Sequence, residues 1–359
     1  MAQKSLLVLA MLLNATVALA QETGPADDLW PLYREGRFEE VITQGKALLA
    51  TGTETAAVNL AVGRSLVDLQ RFEEGIPYLE KAIDQDANRT WVYAWAQLYL
   101  GNSYLAQGNY QRAGQVWTLA RDCDATRNAT RNAGNNLLGF GLSEFFADWQ
   151  EFETEHFSFL FSDRLTDLDR VQYARNREEA YEKISTWFGG GPDQRIRFIV
   201  WANQDEADEA GMPSLGFSRP ALNLTHTLVQ QTVGHEMTHV ISYHALKPTV
   251  RTGLINEGTA VHMDLTGRDQ MQRARGILES LKPRPPIVSI PALWLDWSLA
   301  PDAFSYPLAG AFVQMLIDKG GKEKFLEFYP DQSYAHAQAI YGDDLLAWTE
   351  EFEKRLYSP

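Results

Sequence analysis

Two histidines and a glutamate stand close together in the segment His235-Glu236-Met237-Thr238-His239. If this segment is helical, the two imidazoles lie on one face, because residues four apart in a helix project from the same side. Imidazole nitrogens are ligands that zinc favours, and a glutamate between them could take a proton from a water held nearby. The spacing therefore predicts a metal site with a carboxylate base beside it.

The surrounding sequence favours a helix for this segment. The run 228–246 contains no proline, and its apolar residues between Val233 and Ile241 recur at helical spacing. Pro248 follows closely, and proline is common just beyond the end of a helix. We therefore expect the two histidines to share one helical face.

A third protein ligand is expected, since a catalytic zinc site usually has three of them and one open position. The metzincin pattern requires a glycine and then a histidine downstream, but Ser242 and Ala245 occupy those two positions, so this pattern is excluded. Glu257 lies eighteen positions after His239, within an Asn-Glu-Gly segment. A loop through Gly253 could fold a second helix back, so that Glu257 meets the two histidines.

The two segments together resemble the gluzincin zinc peptidases, in which HExxH is followed, after a short loop, by a helix with an Asn-Glu-Gly-x-Ala-like segment. The resemblance implies one Zn²⁺ per chain with His235, His239 and Glu257 as its ligands. It also implies that Glu236 is the catalytic general base, taking a proton from a zinc-activated water that attacks a peptide carbonyl.

The resemblance also implies a donor for the oxyanion that develops during peptide hydrolysis. Tyr306 is the candidate, because it stands at the start of the helix that follows a Pro-rich loop, where related peptidases often place a tyrosine or a histidine. His262 and His244 are weaker candidates for the same role. A buried or capping tyrosine is an equally good interpretation of Tyr306.

The groups that would orient the ligands are less clear from the sequence. One gluzincin branch has an aspartate four residues after the ligand glutamate, but Val261 stands at that position here. Asp264, on the same helical face, is a possible substitute, and Asn256 could hydrogen-bond a ligand histidine.

The N-terminal part contains a repeat. Three similar segments, 34–40, 68–74 and 106–112, have aromatic residues that are 34 and then 38 positions apart. The period and the turn resemble the tetratricopeptide repeat (TPR), a helix-turn-helix unit, and an ordinary helical bundle is the alternative. The resemblance implies an all-α TPR-like domain over 24–128 whose free surface binds a protein partner.

Downstream of the repeats the pattern changes to that of an α+β domain. We expect the edge of the repeat domain at 124–136 and a helix at 137–149. The other expected elements are strands at 156–161 and 195–201, a short edge strand at 221–225 that could pair with a substrate peptide, and helices at 168–188, 305–319 and 343–356.

Residues 150–359 resemble the peptidase MA-like family over nearly their whole length. The resemblance implies a zincin-type metallopeptidase domain with a small mixed sheet, the HExxH helix and a helical C-terminal part. The expected fold class of the whole chain is therefore α+β, with an all-α repeat domain followed by the metallopeptidase domain.

Composition and the N-terminus indicate where the protein acts. Residues 1–20 have the features of a signal peptide: Lys4, an apolar stretch and the site Ala18-Leu19-Ala20. We therefore expect a periplasmic or secreted protein without a stable membrane span. The formal net charge of −15 argues against nucleic-acid binding, and the single cysteine excludes an intramolecular disulfide.

These features predict an exported zinc-dependent peptidase that acts on protein or peptide substrates, with repeats that recruit partners. An endopeptidase is favoured, because the Gly-x-Met-Glu-Asn segment of the related aminopeptidases is missing. Two alternatives stay open: an aminopeptidase, and a non-catalytic TPR scaffold or assembly factor that retains the peptidase fold.

Overall fold

A computed structural model describes residues 26–53, 55–212, 215–280 and 288–357. The predicted signal peptide, 1–20, lies outside these ranges. The described chain divides into two compact units, 26–149 and 150–357. Within these ranges no helix combines the length and the apolar character needed to cross a membrane. The fold is mixed α+β, as the sequence predicts, with many helices and one small sheet.

The described part of the N-terminal unit is built from helices, which pack mainly against their neighbours along the chain. They are α1 (Leu29–Arg34), α2 (Phe38–Ala50), α3 (Ala56–Asp68), α4 (Phe72–Gln85), α5 (Trp91–Ala106), α6 (Tyr110–Asp122) and α7 (Arg127–Gly139).

Three turns of this unit have the same backbone conformation. Gly36, Gln70 and Gly108 precede α2, α4 and α6 at equivalent positions, and their φ angles are 74°, 62° and 73°. In each turn the amide of the next residue donates to the carbonyl oxygen five residues earlier, as Arg71 does to Leu66. A left-handed residue is common at a helix end, and glycine adopts that conformation without steric cost.

Helix α7 corrects the prediction for this region. We expected 124–136 to be a domain edge and 137–149 to be helical, but the helix spans Arg127–Gly139 and only a short 3-10 turn, Glu144–Phe146, follows. The Thr126 side chain caps the helix by accepting from the Ala129 amide at 3.3 Å. Ala129, Ala133 and Leu137 form a buried stripe at four-residue spacing, which the many polar neighbours conceal in the sequence.

The C-terminal unit contains a five-stranded mixed sheet in the order β1-β2-β3-β5-β4. Its strands are β1 (Gln150–Glu153), β2 (Phe157–Phe161), β3 (Ile196–Trp201), β4 (Phe217–Arg219) and β5 (Leu224–Leu228). The strands β2, β3 and β5 are parallel, and β1 and β4 pair antiparallel at the two sides. The small mixed sheet that the sequence predicts is therefore confirmed.

The position of the edge strand was predicted wrongly. Residues 221–225 do not form an edge strand: Pro220–Leu222 is a 3-10 turn, and Asn223 has a left-handed φ of 48° that separates it from β5. β5 lies inside the sheet between β3 and β4, so β4 is the edge. Strand order depends on pairing between distant segments, which the alternation of residues along one strand does not reveal.

Helices form most of the rest of this unit. They are α8 (Arg170–Phe188), α9 (Gln204–Glu209), α10 (His235–Leu246), α11 (Gly253–His262), α12 (Gln270–Ser280), α13 (Ile290–Leu295), α14 (Asp302–Gly320), α15 (Lys322–Phe328), α16 (Tyr334–Tyr341) and α17 (Asp344–Tyr357). The predicted helices at 168–188, 305–319 and 343–356 correspond to α8, α14 and α17.

Two buried apolar clusters hold these elements together. In the first, phenylalanines of β2 and β3 pack against α8 and against Met237, Val240 and Ile241 of α10. In the second, Leu254 and Ile255 of α11 pack with α14 and the C-terminal helices. Helices α10 and α11 are therefore anchored in different cores, and each core fixes one side of the candidate site.

Candidate metal centre

Helix α10 presents both histidines on one face. His235 is its first residue and His239 follows one turn later, so their side chains project in similar directions. Met237, Val240 and Ile241, which are fully buried, hold another face of the same helix in the sheet core. Burial of that face therefore sets the direction in which the two imidazoles point.

Helix α11 brings Glu257 to the histidines. Glu257 Oε2 lies 3.4 Å from His235 Nε2 and 3.3 Å from His239 Nε2. Ligand atoms of these three residues all lie within 4.8 Å of one another. Among the described residues, these three form the one group of histidine, cysteine and acidic side chains that lie close enough together to hold a metal ion.

The donor set fits a metal ion of the zinc kind. Two donors bound about 2.0–2.1 Å from one tetrahedral ion are about 3.3–3.4 Å apart, which matches both measured separations to Glu257. Two imidazole nitrogens and one carboxylate oxygen form a set common in catalytic zinc sites. The residues that the sequence singles out as ligands are thus brought together.

Burial and charge act in opposite directions on these groups. Burial alone would raise the pKa of Glu257, but His239 and His235 beside it hold that pKa well below its usual range. Burial alone would lower the pKa of His239, and the carboxylates of Glu257 and Glu236 outweigh it and raise that pKa. Glu257 is therefore ionised, the form that a ligand requires.

Asn256 links the two helices at the site, as we predicted. Its Nδ2 lies 3.1 Å from His239 Nδ1 and donates to Glu257 Oε1 at 3.0 Å. Its Oδ1 accepts from Nε and Nη2 of Arg251 at 3.2 and 2.9 Å. Arg251 thus fixes the orientation of the amide that contacts both a histidine and the carboxylate.

Ser218 of β4 is a site residue that sequence reasoning missed. Its Oγ lies 2.8 Å from Glu236 Oε2, 2.9 Å from the Glu236 carbonyl oxygen and 3.1 Å from Thr225 Oγ1. Ser218 is opposite Thr225 in the antiparallel pair β4–β5, on the face of the sheet that meets α10. Only the strand pairing could have revealed it, because a serine in a short segment carries no other signal.

Tyr306 lies beside the candidate ligands. Its ring centroid is 5.9 Å from that of His235 and 5.7 Å from that of Trp297. Burial and the nearby carboxylates, first Glu257, raise its pKa, so the phenol stays protonated and can donate. This position suits an oxyanion donor, and the catalytic role stays a prediction.

The other candidates form hydrogen bonds with residues outside the donor set. His244 Nε2 lies 3.0 Å from the Pro220 carbonyl oxygen, and burial lowers the pKa of this histidine. Burial also lowers the pKa of His262, which interacts with Gln314. Asp264 Oδ1 accepts from the amide and hydroxyl of Thr266, and within the described ranges it makes no hydrogen bond to either ligand histidine. Asp264 therefore does not substitute for the missing aspartate.

Comparison of the chain with protein-family models found no match, and comparison with curated proteins found none.

Proposed function

We propose that the protein is an exported zinc-dependent peptidase of the gluzincin type, which hydrolyses peptide bonds within proteins. One observation carries the proposal: His235, His239 and Glu257 converge from two helices at ligand distances, and Glu236 follows the first of them directly. This convergence depends on two helices that are anchored separately. If the two histidines were ordinary residues of a solvated helix, nothing would require a glutamate of a second helix to meet them.

The residues around the site have distinct tasks in this proposal. A bound zinc ion would supply Lewis acidity and make a nearby water more acidic. Ser218 engages Glu236 Oε2, which leaves Oε1 to accept the proton of the attacking water and return it to the leaving amine. The protonated phenol of Tyr306 would donate to the carbonyl oxygen as negative charge develops on it.

The sheet supports a mode of substrate binding. β4 is an edge strand, so its outer side can pair with an extended peptide through main-chain hydrogen bonds. Ser218 in that strand contacts Glu236, which places the edge next to the proposed base. A peptide bound along β4 would therefore run close to the metal centre, held there by main-chain contacts that any sequence can make.

The helical N-terminal unit supports a recruiting role. The three equivalent left-handed turns at Gly36, Gln70 and Gly108 are what a TPR-like array would have. Such arrays leave one surface free for protein partners, and we propose that this surface recruits substrates or partners. Export, to the periplasm or to the medium, rests on the sequence of residues 1–20.

Casein cleavage by the full chain, loaded with zinc, tests the proposal. Glu236→Gln keeps the shape of the side chain and removes its basicity, so we expect cleavage to fall by about 100-fold or more. Glu182→Gln, an exposed position on α8, is the matched control and should cleave as the wild type does. Equal cleavage by Glu236→Gln and wild type would exclude the mechanism, and absence of cleavage by the wild type would favour the scaffold alternative.

A further inference from the structure

A cleft of about 380 Å³ opens beside the metal centre. It is bounded by His235 and Tyr306 of the proposed catalytic site and continues away from them. Four of its other residues are charged: Asp264, Arg268, Arg273 and Asp302. The cleft is large enough for one or two residues of a peptide whose carbonyl lies at the metal centre.

Within the part of the chain that the structure describes, the two arginines of the cleft have no acidic partner. Both side chains are exposed, and within the described ranges neither Arg268 nor Arg273 forms an ion pair. Arg273 Nη1 donates to Gln270 Oε1 at 2.8 Å. Because this acceptor is a neutral amide oxygen, it does not compensate the charge of the guanidinium. Arginine presents a rigid fork of donors that matches a carboxylate with two parallel hydrogen bonds.

The two acids of the cleft do not neutralise these arginines. Asp264 is buried, and its Oδ1 accepts from both the amide and the hydroxyl of Thr266. Asp302 stands on α14 one turn before Tyr306, and within the described ranges it forms no ion pair with either arginine. Arg268 and Arg273 lie instead on the segment that follows α11 and on α12.

We propose that Arg268 and Arg273 form a subsite for a carboxylate of the substrate, close to the bond that is cleaved. This subsite rests on the proposed peptidase function and adds a substrate class to it, peptides with an acidic side chain or a free C-terminus beside the cleaved bond. With a net charge of −15, the protein repels such substrates at long range. Selection of a carboxylate therefore needs paired cations at the site itself.

The test uses the zinc-loaded full chain and a set of quenched fluorescent peptides with one neutral parent sequence. Glu replaces Gln at each of three positions on either side of the cleaved bond, and each peptide is made with a free or an amidated C-terminus. For one of these placements we expect kcat/KM to exceed that of its neutral twin by about tenfold or more, mainly through KM. The comparison of Glu with Gln tests a side-chain carboxylate, and the comparison of free with amidated C-termini tests a terminal carboxylate.

Variants assign the preference to the two arginines. In Arg268→Gln/Arg273→Gln the ratio between acidic and neutral peptides should fall to about one. The control Arg175→Gln/Lys183→Gln removes two exposed charges from α8, outside the cleft, and should keep the wild-type ratio. A wild type without preference for any acidic placement, or a double variant that keeps the preference, would overturn the subsite.

A binding measurement separates failure of the subsite from failure of the proposed function. Fluorescence anisotropy compares the acidic peptide and its neutral twin on the Glu236→Gln protein, with and without the two arginine substitutions. Tighter binding of the acidic peptide that the substitutions abolish supports the subsite even if the wild type cleaves nothing, in which case only the peptidase proposal fails. Equal binding of the two peptides overturns the subsite.

Discussion

Ser218 Oγ lies 2.8 Å from Glu236 Oε2 and thereby joins the edge strand of the sheet to the proposed general base. The same oxygen also lies 2.9 Å from the Glu236 carbonyl oxygen, so one hydroxyl contacts both the side chain and the backbone of this residue. The strand that would receive a substrate peptide and the carboxylate that would take a proton are thus in direct contact.

Removal of this hydroxyl should affect catalysis more than metal binding. We expect Ser218→Ala to lower kcat on a peptide substrate by about tenfold, the scale of a hydrogen bond to a charged group, because the Glu236 carboxylate loses its orienting partner. Zinc content should stay at the wild-type level. Ser218→Thr, which keeps the hydroxyl, should restore much of kcat, and a Ser218→Ala protein with unchanged kcat would show that Glu236 is oriented by other groups.

Arg251 should tune the affinity for the metal without touching it. The guanidinium holds Oδ1 of Asn256, whose amide nitrogen contacts His239 and Glu257. Loss of a group that orients a ligand typically costs about 10–100-fold in metal affinity, and we expect Arg251→Gln to fall at the lower end of this range. Competition with a zinc chelator measures the change, and Arg175→Gln is the control. Identical affinities would mean that Asn256 holds its orientation unaided.

Gly258, next to the proposed ligand Glu257, allows α11 and α14 to approach closely. A Cβ at this position would lie 2.5 Å from the Ala309 carbonyl oxygen and 2.8 Å from Val313 Cγ2. We therefore expect Gly258→Ala to lower the free energy of unfolding by about 2–3 kcal/mol, measured by urea denaturation. A Cβ at Gly276 in α12 meets no atom of the described residues within 4 Å apart from the backbone of its own helix, so Gly276→Ala should instead stabilise by about 0.5–1 kcal/mol. If both substitutions changed the free energy of unfolding in the same direction, the close approach of α11 and α14 would be contradicted.

The conformation shared by the three turns of the helical unit predicts that Gln70→Gly and Gly108→Ala change its stability in opposite directions. Gln70 adopts a φ of 62° at the position where Gly108 has 73°. A left-handed conformation costs a residue with a side chain about 1–2 kcal/mol, so Gln70→Gly should stabilise the unit by up to about 1 kcal/mol after the greater backbone entropy of glycine is subtracted. Gly108→Ala should destabilise it by a similar amount. Thermal unfolding of both variants measures this, and a destabilising Gln70→Gly would refute the shared turn geometry.

Local spacing was enough to predict the elements that carry the proposed ligands. The four-residue interval between His235 and His239 and the apolar residues around it correspond to α10, and Glu257 lies in the second helix as expected. Its approach to the histidines depends on the chain reversal between α10 and α11. That reversal could be proposed only because the motif resembles a known arrangement.

Relations between distant segments could not be predicted in the same way. The contact of Ser218 with Glu236 depends on the register of β4 against β5 and on the packing of the sheet under α10. The cleft arginines lie outside every motif, and only the folded chain brings Arg268 and Arg273 to one cavity with His235. Helix α7 was missed for a different reason, because all of its buried residues except Leu137 are small or polar.

The zinc content of the purified full chain tests the central claim most directly. Elemental analysis by mass spectrometry, after incubation with zinc and removal of the excess, should find about one zinc per chain for the wild type and for Glu236→Gln. Glu257→Ala removes the donor that joins the two histidines and should lose most of the metal. A wild type without zinc, or a Glu257→Ala protein that retains one zinc per chain, would contradict the assignment of His235, His239 and Glu257 as a metal centre.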